Sequence, residues 1–142
     1  MDRLSPRARS ENMRRVKGKN TAPELLVRRA LHAMGIRFRL HRRDLPGRPD
    51  IVLSGRRTIL FVHGCFWHRH PGCRRSSFPA TRPDFWSAKF DRTLRRDAEQ
   101  AAALTALGWR VEVLWECEAR APDRLRVRLG ELFPAVAAPS DG

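Results

Sequence analysis

Apolar and polar positions along the chain change their period several times, and each change marks an element. Thr21-Ala22-Pro23-Glu24 has the spacing of a capping box with proline in the first turn, and Val27, Ala30, Leu31 and Met34 follow at helical intervals before Gly35. This predicts an amphipathic helix over 22–34. Ile36 to Leu40 alternates apolar and basic residues with period two, which predicts a half-exposed strand. Pro46-Gly47-Arg48-Pro49 punctuates the chain before Asp50 and the apolar triplet 51–53, and Ser54-Gly55 reads as a tight turn into Thr58-Ile59-Leu60-Phe61-Val62. That continuous β-branched and aromatic run predicts the central strand. Thr81-Arg82-Pro83-Asp84 opens a second helix that runs to about Leu107 and stops at Gly108, where a left-handed cap costs least. A strand over 109–115 and a helix over 122–133 complete the pattern. The order α-β-β-β-α-β-α predicts an α/β fold, a mixed sheet flanked by helices, with no repeat or internal linker dividing it.

Length and charge narrow this picture. A chain of 142 residues is about one domain's worth. Lys and Arg number 29 against 15 Asp and Glu, a formal charge of +14, so a polyanionic partner is the natural expectation. Residues 1–20 are basic and nearly devoid of apolar side chains apart from Leu4, Met13 and Val16. They cannot bury themselves and are expected to form an arm that orders on nucleic acid. The globular unit is expected to span 21–134, with a loose Ala-, Pro- and Ser-containing tail over 135–142. No apolar run approaches the roughly 18 residues of a membrane span, so a soluble, cytoplasmic protein is expected. The three cysteines cannot all pair within one chain, which argues against a disulfide scaffold.

The chemistry concentrates in His63-Gly64-Cys65-Phe66-Trp67-His68-Arg69-His70-Pro71-Gly72-Cys73. Cys65, His70 and Cys73, with Cys117 just beyond the last strand, make a Cys₃His set suited to tetrahedral structural zinc, although spacing alone leaves His68 as an alternative ligand. A histidine not used by that metal titrates near neutrality, so His68 could take a proton from an attacking water. Asp50, at the mouth of a strand, can hold a hard divalent cation such as Mg²⁺, and a backbone carbonyl near Val62 could supply a second oxygen. Asp97 interrupts the apolar face expected from Leu94, Ala98, Ala101 and Leu104, so it needs either an arginine partner or a role in orienting His68 or a metal-bound water. Glu24 has a capping role but could also face a site. Phe66, Trp67 and Trp86 offer flat surfaces that could wedge into a base stack, and the first two sit in a loop where burial is hard to arrange.

These residues resemble the very-short-patch-repair (Vsr) mismatch endonucleases. The likeness is carried by GKNTAPE at 18–24, PGRPDIV at 46–52, VHGCFWH at 62–68, PATRPDFW at 79–86 and GWRVEVLWEC at 108–117. The resemblance implies a restriction-endonuclease-like fold with a structural zinc, and nicking of one DNA strand 5′ of the thymine in a T·G mismatch left by deamination of 5-methylcytosine. It further implies Asp50 and the Val62 carbonyl as Mg²⁺ ligands and His68 as general base, with Glu24, His63 and Asp97 supporting metal-bound water. Cys65, His70, Cys73 and Cys117 would hold Zn²⁺. Phe66, Trp67 and Trp86 would enter beside the mismatch from the major groove, and Met13 and Val16 from the minor groove. A monomer linked functionally to a cytosine-5 DNA methyltransferase and to downstream repair proteins is implied as well. Two rival readings stand beside this one, a non-catalytic zinc-stabilised DNA-binding module and a general restriction nuclease on the same fold.

Overall fold

The computed structural model describes residues 21–134. The arm over 1–20, with Met13 and Val16, and the tail over 135–142 lie outside the described residues. Helix α1 (Ala22–Ala33) precedes strands β1 (Arg39–Leu40), β2 (Ile51–Leu53) and β3 (Thr58–His63). Helix α2 (Pro83–Ala106) leads to strand β4 (Arg110–Trp115), followed by a single turn α3 (Glu116–Ala119) and helix α4 (Pro122–Leu132).

The four strands lie in sequence order. β1 pairs antiparallel with β2, β2 antiparallel with β3, and β3 parallel with β4, so the sheet is mixed as expected. The parallel pair needs a crossover, which α2 provides.

Because side chains alternate across a strand, the apolar runs of β2 and β3 feed both faces of the sheet. Ile51, Leu53 and Leu60 join Val27 and Leu31 of α1, Leu114 of β4, and Leu125 and Leu129 of α4 in one cluster. Val52, Ile59 and Phe61 join Leu104 of α2 and Trp109 in another. A continuous hydrophobic strand is what two covered faces require. Full burial of each such side chain contributes roughly 1.5–3 kcal/mol.

Several expectations need correction. The strand predicted over 36–40 pairs only at Arg39–Leu40, because Ile36 turns into the core beneath α1 instead of alternating out of a ladder. The tight turn expected at Ser54-Gly55 is present, as a 3-10 turn over Ser54–Arg56 closed by Arg57 in the left-handed region. The apolar face predicted for α2 is displaced: Phe90, Thr93 and Leu104 are buried, whereas Leu94 is 44% exposed. A helix turns about 100° per residue, so Leu94 is carried away from the packed line that runs through Thr93 and Asp97. Gly108, at φ +94°, follows the end of α2 as the predicted left-handed cap.

Candidate active-site cleft and metal centre

The sheet delivers its polar residues to one end. Asp50 immediately precedes β2 and its carboxylate accepts the Val62 N–H at 2.8 Å, tying the mouth of β2 to the end of β3. His63 is the last residue of β3 and lies in the same alternation as Ile59 and Phe61. The chain then folds back tightly, the His68 N–H donating to the Gly64 carbonyl at 3.1 Å and the His70 N–H to the Cys65 carbonyl at 3.0 Å. A cleft of about 570 Å³ results, lined among others by Glu24, Asp50, Val62, His63, His68 and Asp97. All five side chains predicted for catalysis share it, together with the Val62 backbone.

Within the cleft, His68 Nδ1 lies 2.5 Å from Asp97 Oδ2, a short contact between partly buried groups. With Nδ1–H donating to the carboxylate, Nε2 is left as the atom able to take a proton. Among the described residues Asp97 answers to His68 and not to an arginine, and this contact lets it stand on the buried side of α2. The His63 ring stacks on His68 with centroids 3.7 Å apart and planes 7° from parallel. Burial, followed by the neighbouring His68, lowers the His63 pKa to about 3, so this ring stays neutral at physiological pH and braces His68 without adding charge.

Asp50 behaves oppositely. Burial raises its pKa to about 7, the Val62 N–H opposes the rise, and the Glu24 carboxylate adds to it. A buried carboxylate beside a second carboxylate is poorly compensated, which is the electrostatic setting a cation relieves. Glu24 is 1% exposed. Its N–H donates to Thr21 Oγ1 at 3.3 Å, the first half of the predicted capping box. Its carboxylate, however, is turned to Arg28 and His41. The Asp50 carboxylate, with the Val62 backbone alongside and Glu24 near enough to hold a water, fits a hard divalent ion such as Mg²⁺.

The second cluster is built by the loop after β3 and the turn after β4. Ligand atoms of Cys65, His70, Cys73 and Cys117 all lie within 4.8 Å of one another. His70 Nδ1 is 3.7 Å from Cys65 Sγ and 3.5 Å from Cys117 Sγ. Tetrahedral zinc with ordinary Zn–S and Zn–N bonds would separate such atoms by about 3.6 Å, so the His70–Cys65 and His70–Cys117 spacings match those of a Zn²⁺ site. The structure brings His70 to the cysteines and turns His68 to Asp97, although the sequence left the two interchangeable. His70 also stacks on Trp115 at 4.2 Å, and the Cys117 N–H donates to Cys65 Sγ at 3.4 Å. Burial raises the Cys65 pKa to about 12, so a thiolate there needs a cation.

Phe66, Trp67 and Trp86 meet in one aromatic cluster with Phe90, at centroid separations of 5.2–5.7 Å. Trp67 is 8% exposed, so the loop buries this ring more completely than its sequence suggested. The reason is α2, whose first turns carry Trp86 and Phe90 against the loop. Two participants escaped the sequence reading. Arg69 lies over Phe90 at 4.0 Å and donates to the carbonyls of Phe66 and Ser76, locking the loop to the cluster. His41 stands beside Glu24 and Asp50 and had no periodic or motif signal, only its place within an Arg-rich connection.

A mixed sheet with a parallel β3–β4 crossover and polar residues gathered at its strand ends defines a restriction-endonuclease-like α/β protein. The family model for the DNA mismatch endonuclease Vsr matches residues 1–75. The chain is 55% identical over 132 residues to the type II nicking enzyme V.XorIIP of Xanthomonas oryzae pv. oryzae, covering 93% of this chain and 96% of that protein. It is 42% identical over 117 residues to the DNA mismatch endonuclease Vsr of Escherichia coli, covering 82% and 74% respectively. It is also 38% identical over 128 residues to the type II nicking enzyme V.NmeAIP of Neisseria meningitidis, covering 90% and 91%. The chain belongs to the Vsr DNA mismatch endonuclease family.

Proposed function

We propose that the chain is a Mg²⁺-dependent, strand-specific endonuclease that hydrolyses the phosphodiester 5′ of the thymine in a T·G mismatch arising from 5-methylcytosine deamination. The observation that carries this reading is the His68–Asp97 contact in the same cleft as Asp50. Asp97 holds His68 through Nδ1, and Nε2 accepts the proton of the attacking water. His63 keeps the imidazole in plane by stacking. Asp50 and the Val62 carbonyl are the proposed Mg²⁺ ligands, and Glu24 and His63 hold water in the cleft. Mg²⁺, when bound, offsets the charge on the attacking and leaving oxygens.

Zn²⁺ at Cys65, His70, Cys73 and Cys117 has a structural role, since four protein donors leave no open position. It fixes the loop that carries both His68 and the aromatic cluster. Phe66, Trp67 and Trp86 contact the mismatch from the major groove, and Met13 and Val16 of the basic arm from the minor groove. The net charge of +14 supports binding to the phosphate backbone. Action as a monomer in the cytoplasm, after a cytosine-5 methyltransferase and ahead of repair proteins that process the nick, completes the proposal.

Asp50→Ala tests the catalytic reading. The variant is expected to bind a T·G duplex as the wild type does and to leave it intact in Mg²⁺. A wild-type protein that binds but does not cut in Mg²⁺ or Mn²⁺ would establish the non-catalytic alternative, and double-strand cutting at a fixed matched sequence would establish the general restriction nuclease.

A further inference from the structure

His41 is a cleft-side residue to which neither the sequence motifs nor the mechanism assigns a purpose. Its Nε2 is buried, lies 2.7 Å from Glu24 Oε2, and makes no aligned hydrogen bond among the described residues. Ligand atoms of Glu24, His41 and Asp50 all fall within 4.8 Å of one another. The backbone holds this arrangement: the His41 N–H donates to the Asp50 carbonyl at 3.3 Å, and His41 sits at φ 47°, a left-handed conformation that a side-chain-bearing residue adopts only at a cost. The Glu24 oxygen already carries the Arg28 guanidinium, and with no proton aligned between it and His41 the ring nitrogen can turn its lone pair to a cation at Asp50.

We propose that His41 is a nitrogen ligand of the cation held at Asp50, so that this centre binds Mn²⁺ more tightly than Mg²⁺ while still accepting Mg²⁺ through its oxygens. This rests on the reading that Asp50 holds the catalytic cation. Imidazole suits first-row transition ions, whereas Mg²⁺ selects carboxylate, carbonyl and water oxygens. One imidazole between two carboxylates therefore widens the choice of ion without adding negative charge. The thiolate-rich cluster of Cys65, Cys73 and Cys117 does not compete, because Mn²⁺ ranks below Zn²⁺ in affinity for such donors.

The test uses the full chain, zinc-loaded and free of DNA. Mn²⁺ binding is followed by electron paramagnetic resonance, Mg²⁺ by competition, and directly bound nitrogen by electron spin-echo modulation. The wild type is expected to show nitrogen coupling at bound Mn²⁺, and His41→Gln to lose it. The same substitution should weaken Mn²⁺ binding by roughly 10- to 100-fold and leave Mg²⁺ binding within about 3-fold. His68→Gln should retain the coupling. Absence of nitrogen coupling in the wild type would overturn the proposal whether or not any variant folds. So would coupling that survives in His41→Gln, or equal weakening of both ions. Zinc content and thermal midpoint of His41→Gln serve as folding controls. Asp50→Ala separates the two levels of inference: Mn²⁺ binding unaffected by it would refute the cation site at Asp50 itself, whereas its loss there without nitrogen coupling in the wild type refutes only the role of His41.

Discussion

Asp97→Asn removes a charge from the His68 contact while keeping its shape, and the consequence can be sized. The contact is 2.5 Å long, with the two side chains 25% and 20% exposed. A hydrogen bond to a charged group contributes about 1.5–3 kcal/mol against about 1 for a neutral one. The lost stabilisation of protonated His68 is then about 0.5–2 kcal/mol, or roughly 2- to 30-fold in rate. An asparagine amide can also donate to Nδ1, which leaves the proton on Nε2 and blocks proton acceptance. Single-turnover nicking of a T·G duplex in Mg²⁺ should therefore fall by roughly 10- to 1,000-fold, short of or up to the middle of the roughly 10²–10⁴-fold span of general-base catalysis. His68→Ala should fall by roughly 10²–10⁴-fold. Because Asp97 acts through His68, the double variant should be no more than about 3-fold slower than His68→Ala alone. Multiplicative losses in the double variant would refute the pairing, as would full activity in Asp97→Asn. Duplex affinity measured in parallel should stay near the wild-type value.

Three further outcomes are expected. Purified protein should contain about one equivalent of zinc, and Cys117→Ala should lose it together with several kcal/mol of unfolding free energy; an equally stable, zinc-free variant would contradict the structural role. In zinc-loaded protein without Mg²⁺, Asp50 has its folded pKa raised to about 7 from 3.8, so the folded state binds the extra proton and stability falls as pH rises across that window. Asp50→Asn should thus be more stable than the wild type at pH 8, by up to about 4 kcal/mol, and the gain should fade toward pH 4. His63 works in the opposite sense, since its folded pKa of about 3 removes stability as pH falls below 6.5, and denaturant titrations of both proteins at each pH separate the two. Trp86→Ala should reduce the preference for T·G over T·A duplexes by roughly 5- to 150-fold, the range for losing one aromatic stacking partner, without loss of zinc.

Residues 58–62 were legible as the central strand because a strand buried on both faces must be apolar throughout, and both clusters draw on it. The start of α1 was legible from Thr21 and Pro23, whose chemistry is local. The turn α3 was not, because its four residues are too short to show a period. Leu94 misled because a helix face cannot be set by apolar residues alone when a half-buried Asp97 and a buried Thr93 share it. In the cleft, the residue types at 50, 68 and 97 betrayed their chemistry and 63 came only from the family resemblance, but which histidine meets the cysteines depends on how the loop after β3 folds back. His41 remained hidden for the same reason. Its contacts with Glu24 and Asp50 depend on a left-handed backbone turn that no neighbouring residue announces.

The most direct test of the mismatch-nickase account is strand-resolved mapping of the products when wild-type protein and Mg²⁺ act on otherwise identical T·G and T·A duplexes. A single nick on the 5′ side of the mismatched thymine, with the opposite strand and the T·A duplex intact, is the predicted result; equal cutting of both duplexes, or cutting of both strands, would contradict it.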